Sequence, residues 1–278
     1  HNDTTLINGK TLQWEASVHG HNESYGRGTR NSCAGCHSGG AFSDRVAAGL
    51  TAAEVEAGDP APTRQDCRAC HAIHTSYTGD DWALETVEAV TIYAYEEETV
   101  FDGGAGNLCA NCHQPRRLIA EPVDGMIEVT STHWGPHHGP QTATLLGKGG
   151  AGIEDGEPMM HASIEDTCVA CHMGEGDDHT FNPSVASCQG CHADAEDFNI
   201  NGVQEEVEAA IEEIGAALLA KGMIDEEGHP VVGLYPEAEA NALWNWIFLH
   251  HEDESGGVHN PTYILDLLAY SKDALGIP

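Results

Sequence analysis

Short helices and loops wrapped around a row of bound porphyrins, with little sheet and long helices only near the C-terminus, form the fold class this sequence predicts. Three observations carry that reading. The pattern Cys-x-x-Cys-His occurs five times in 278 residues and uses all ten cysteines. Aromatic residues make up only 6% of the chain, so porphyrin must take over part of the role of packed aromatic side chains. Sustained helical periodicity begins only at residue 203.

The five motifs are Cys33, Cys36 and His37; Cys67, Cys70 and His71; Cys109, Cys112 and His113; Cys168, Cys171 and His172; and Cys188, Cys191 and His192. The two thiols of one motif add across the two vinyl groups of one haem, and the histidine that follows becomes the proximal ligand of its iron. Paired Cys-x-x-Cys units also build zinc ribbons, but a ribbon does not need His directly after every second Cys. The expectation is five covalent haem c groups and the class of a multihaem cytochrome c. No thiol is left for a disulfide, a zinc site or a nucleophile.

Forty-five acidic against eleven basic residues give a net charge of −34, which repels nucleic acid and anionic membranes. The plain reading is a solvated acidic coat; attraction of cationic partners, or adaptation to a salty or alkaline habitat, are the alternatives. No apolar run reaches 18 residues, so no membrane span is expected. The chain starts at His1 rather than Met and has no early Cys. These features predict a processed export signal, no lipid anchor, and a secreted protein that is periplasmic or extracellular.

Taken in order, residues 1–32 read as a polar wrapping arm that presents a histidine at Ser17-Val18-His19-Gly20. Thr51 followed by Glu54 resembles a capping box opening a short helix to Ala57. Residues 86–95 are the best strand candidate, with 126–129 as a partner. Arg116 and Arg117 are expected to pair with haem propionates. Val203, Val207, Ala210, Ile211, Ile214 and Leu218 hold helical spacing, with Gly222 as a stop. A second helix is predicted from Pro236 towards Glu252. A third has Asn260 as cap and Pro261 in its first turn. The whole of 1–278 reads as one haem-organised unit, 1–202 wrapping the haems and 203–278 returning a distal histidine.

Five of the eighteen histidines are proximal, so thirteen remain for at most five distal positions. The distal candidates are His19, His74, His138, His161, His179 and His259. His74 follows His71 by three, one helical face away. His138 is preferred over His133 and His137, though any of the three could serve. His250 and His251 suit packing or capping at a helix end. His1, His21 and His229 have no supporting pattern.

From residue 158 to 270 the order of elements resembles the pentahaem ammonia-forming nitrite reductases. The matching elements are His161, then Cys168 to Met173, then Asp178-His179, then Cys188 to His192, then long helices and Gly257-Val258-His259. The resemblance implies that His161 faces an active haem and that His179 and His259 are distal ligands. That family's catalytic haem usually takes Lys in place of the motif His, and all five motifs here end in His. The first half, through SVHG at 17–20, CRACHAIH at 67–74 and THWGPHHGPQ at 132–141, looks like the extracellular multihaem cytochromes of metal-respiring microbes. Some of those polymerise into conducting filaments.

The function expected is electron transfer, outside the cell, along a chain of five bis-histidine haems, with no catalytic residue. The alternative is a reductase of nitrite or hydroxylamine with one open haem and His161 as distal acid; storage of haem or metal is a third reading. Expected partners are other redox proteins, extracellular electron acceptors and other copies of the chain. Six distal candidates for five irons leave a surplus that a head-to-tail filament would use.

Overall fold

The structure is a computed structural model that describes residues 5–95, 99–137, 139–174 and 176–278. The helices are α1 Thr5–Ala16, α2 Val18–His21, α3 Asn31–His37, α4 Gly39–Ala47, α5 Cys67–Cys70, α6 Gly106–Ala110, α7 Gln141–Leu145, α8 Cys168–His172, α9 Val185–Cys188, α10 Val203–Ala220, α11 Glu237–Ile247 and α12 Pro261–Leu275. The strands are β1 Val90–Thr91, β2 Val100–Phe101, β3 Met126–Val129 and β4 Gly233–Pro236. They form two antiparallel pairs, β1 with β2 and β3 with β4. None of these helices is long and apolar enough to cross a membrane.

The chain divides into two compact units. One is drawn from residues 1–93, 98–112 and 164–196, the other from 94–97, 113–163 and 197–278. The third motif is divided between them, after Cys112.

The second unit has a conventional core. The apolar stripes of α10, α11 and α12 meet through Val207, Ile214 and Leu218, through Leu243, Trp244 and Ile247, and through Ile264, Leu267 and Leu268, all buried. Trp244 Nε1 donates to Gly149 O at 2.8 Å, and Asn245 bonds both backbone groups of Ala151. The stop at Gly222 is real, because its φ of +69° is a conformation glycine adopts without strain. Asn260 caps α12 by accepting from Tyr263 N. After Ile247 the helix widens into a π-helical turn, Phe248–Asp253, that holds His250 and His251 against Trp246, with ring centres 4.9 Å away in both cases.

The first unit buries far less. Its buried apolar side chains among the described residues are Ala34, Phe42, Ala69, Val90, Ile92, Phe101 and Ala110. Several sequence expectations are corrected here. The polar wrapping arm read over residues 1–32 is helical at Thr5–Ala16 and Val18–His21, although α1 buries none of its residues. The 86–95 strand shrinks to Val90–Thr91 and pairs with Val100–Phe101, because β3 finds its partner in β4, a hundred residues later. The 51–57 helix is a single 3₁₀ turn at Ala52–Glu54, although the Glu54 carboxylate does accept from the Thr51 N–H and hydroxyl.

Glu252 is buried in the second unit, and burial pushes its carboxyl up to about 8, with Arg117 pulling the other way. Between the unfolded value near 4.5 and about 8 the folded chain keeps a proton that the unfolded chain releases. Stability therefore falls as pH rises through that window. We expect Glu252→Gln to flatten this dependence and to be the more stable form at pH 8, by on the order of 2–4 kcal/mol. Chemical denaturation of both forms at pH 5 and pH 8 checks it.

Candidate haem-ligating site

The first, second and fourth motifs start on the helical turns of α3, α5 and α8, while the third and fifth begin at the ends of α6 and α9 and run on into turns. The His71 and His192 amides reach back to Cys67 O and Cys188 O, at 2.8 Å and 2.9 Å. Such a turn puts the two cysteines, three apart, and the histidine on one face. Behind that face the small residues Ala34, Gly35, Ala69, Ala110 and Asn111 are buried, while Cys67 and Cys191 are exposed and the other eight thiols partly so. No two of the ten cysteines are joined in a disulfide. Burial raises the thiols of Cys70, to about 12, and of Cys171 and Cys188. Among the described residues, no three motif side chains converge on one point as a tetrahedral zinc site requires. The one group of three or more donors that does converge, Asp225, Glu227 and His229, contains no motif residue.

The motifs also lie against one another. Cys112 Sγ approaches Cys36 O and Cys36 Sγ approaches Asn111 O, at 3.9 Å and 3.7 Å, so the first and third motifs pack together. Cys109 and Cys168 are hydrogen-bonded neighbours, which brings the third and fourth together. Ser187 Oγ donates to Cys171 O at 3.2 Å, joining the fourth to the fifth as their short spacing predicts.

The histidines are oriented from behind by hydrogen bonds at Nδ1. His71 donates to Trp82 O at 2.8 Å and His172 to Phe181 O at 2.9 Å. His161 donates to Val258 O at 2.6 Å and His179 to Asp177 O at 2.6 Å. A carbonyl only accepts, so in these four rings Nδ1 carries the hydrogen and Nε2 offers its lone pair. His113 Nδ1 meets Gln141 Oε1 at 3.1 Å, and the Gln141 amide is itself oriented by donating to Glu252 O and Asp253 O. His259 Nδ1 meets Asp253 Oδ1 at 2.8 Å. Burial alone would raise the Asp253 carboxyl, but His259, Ser255 and Thr144 together bring it below its ordinary value. Backing of this kind fixes tautomer and ring direction in metal-ligating histidines.

Two short segments supply most of the backing. In the first unit, residues 177–181 hold His172 and His179 and put the Phe181 ring 4.9 Å from that of His19. Asp177 and Phe181 have φ of +53° and +58°, a conformation that costs energy outside glycine and recurs at functional sites. Burial lowers the His179 pKa, favouring the neutral, ligating ring. The His71 and His179 ring centres are 6.2 Å apart with planes 24° from parallel. An imidazole nitrogen binds metal at about 2 Å, so two rings facing one iron have centres about 6 Å apart. In the second unit, residues 252–259 back His113, His161 and His259.

His37 and His192 are half-buried. His74 is exposed, and it is not on a helix: α5 ends before His71, and His74 has φ of +66°. Its direction comes from Asp81, which sequence reading missed. The Asp81 carboxylate accepts from the backbone N–H of His74, Ser76 and Tyr77 and from the Ser76 hydroxyl; hydrogen bonds from Ser76, first among them, hold it down at about 2. An Asp that follows an exposed Ser-Tyr-Thr-Gly turn is the only sequence signal for it. Of the other candidates, His133 has its ring centre 6.4 Å from that of His229 and His137 has φ of +87°. His138 lies outside the described residues, as does His1. We expect Asp81→Ala to free the 73–82 loop and to speed chymotryptic cleavage at the exposed Tyr77 about tenfold or more, followed by mass spectrometry of the first fragments.

No family profile matches this chain, and no curated protein does. Among solved structures, the crystal structure of the outer cell wall cytochrome OcwA is similar, with a TM-score of 0.59 and 21% identity. The match covers 96% of this chain and 50% of that one, so the chain spans about half the length of that protein. Over nearly its whole length, the chain shares the fold of that structure.

Proposed function

We propose that the chain is a pentahaem c-type electron carrier working outside the cytoplasm. The observation that carries this is that the motif histidines His71 and His172 and the non-motif histidines His161 and His179 each donate from Nδ1 to a backbone carbonyl, the tautomer that suits ligation through Nε2. When bound, haem supplies one-electron exchange between iron(III) and iron(II). The protein's part is ligation, orientation and charge. His37, His71, His113, His172 and His192 serve as proximal ligands, and His19, His74, His161, His179 and His259 are the described distal candidates. His71 and His179 are assigned to one iron, on their ring spacing. The packing of the first motif on the third, the third on the fourth and the fourth on the fifth supports a continuous path. An acidic surround favours the ferric state, so low potentials are expected.

Delivery of electrons to extracellular acceptors and head-to-tail association belong to the same reading. The exposed His74, held in a rigid turn, supports a donor that reaches a second copy. Electron microscopy distinguishes filaments from single particles. If every iron has two histidines, electron paramagnetic resonance of the oxidised protein shows only low-spin ferric signals, and a pyridine haemochrome assay gives five haems per chain. A high-spin signal of about one iron per chain, with nitrite turnover, would instead favour the reductase reading.

A further inference from the structure

Arg45 is an anomaly in this chain. It is one of only eleven basic residues, it is 4% exposed, and it makes no ion pair among the described residues. Its side chain passes directly over the first motif, with Cδ 3.2 Å and Nε 3.5 Å from where a Cβ on Gly35 would stand. Its Nη2 donates to Asn111 Oδ1, inside the third motif, at 3.0 Å. Nη1 donates to Leu50 O at 3.3 Å, the guanidinium carbon is 5.0 Å from the Phe42 ring centre, and Nε has no hydrogen-bond partner among the described residues. A guanidinium does not shed its charge in a protein, and a buried charge without a counter-charge costs several kcal/mol. That cost needs a compensating role, and the location names one.

We propose that Arg45 is a potential-setting residue, a buried positive charge that raises the reduction potentials of the haems bound at the first and third motifs above those of the others. The inference rests on the haem reading of the motifs. Ferric haem carries one more positive charge than ferrous haem, so a fixed cation nearby disfavours the oxidised form. The packed Cys36 and Cys112 motifs, with Arg45 between them, exclude the water that would screen it. The acidic remainder of the chain acts in the opposite sense, and the two haems would form the most oxidising step of the path.

The test is a potentiometric titration of the full holoprotein, followed optically and by electron paramagnetic resonance, for wild type, Arg45→Met, Arg45→Lys and Asn111→Asp. Arg45→Met removes the charge and keeps most of the volume. Asn111→Asp leaves Arg45 in place and puts a carboxylate against it. Both should move the same two potentials down by about a tenfold change in oxidised-to-reduced ratio, ~59 mV for a one-electron couple. Arg45→Lys should stay close to wild type. Haem content is measured on every variant. Fewer than five haems in wild type defeats the haem reading itself. Five haems with superimposable titrations for wild type and Asn111→Asp defeats the role of Arg45 alone, even where Arg45→Met does not fold. An equal shift of all five haems also overturns the proposal, because it would be a change in net charge and not a local one.

Discussion

The rest of this molecule depends on a hydrogen bond from an imidazole Nδ1 to an oxygen behind it. A Cys-x-x-Cys-His turn by itself sets only where a histidine starts. What aims the ring, and which nitrogen keeps a lone pair, is decided by the acceptor at its back. Trp82 O, Phe181 O, Val258 O and Asp177 O fill that role for His71, His172, His161 and His179. Those acceptors sit on loops, and the loops are held in place by contacts that otherwise look idle. Asp81 ties down the turn before Trp82, and Gln141 links His113 to the backbone of Glu252 and Asp253. Positive-φ residues other than glycine at 74, 77, 177 and 181 show where the backbone bends to supply these contacts.

The two units satisfy the requirement differently. The second has Trp244, Phe248, Leu267 and their neighbours as a core of ordinary kind, and the Gln141 amide donates to Glu252 O and Asp253 O in its backing segment. The first carries four complete motifs and the cysteines of the third, with few large buried apolar side chains among its described residues. Polypeptide alone leaves it little apolar area to bury. Bound porphyrin, as proposed, would supply that area in a chain with 6% aromatics.

Much of this is readable from residues alone, for definite reasons. The motifs are local in sequence, so spacing identifies them. The α10 and α12 boundaries follow from Gly222, Asn260 and Pro261, whose backbone preferences do not need tertiary context. What could not be read is what depends on distant segments. β3 pairs with β4 across a hundred residues, and 126–129 has no local feature that chooses β4 over β1. His74 looked like a helical neighbour of His71 because the end of α5 is set by the Ala72–Ala83 and Cys70–Glu85 backbone bonds and by Asp81. The helix α1 escaped notice because it buries no face, leaving Leu6 and Leu12 exposed and no apolar stripe to detect.

The claim that paired, backed imidazoles organise the chain is tested most directly by an iron anomalous-difference map from crystals of the holoprotein. The account requires five iron peaks per chain, one of them between His71 and His179, with Trp82 O and Asp177 O still accepting from the two Nδ1 groups. Fewer than five peaks, or His71 and His179 bound to different irons, would contradict it.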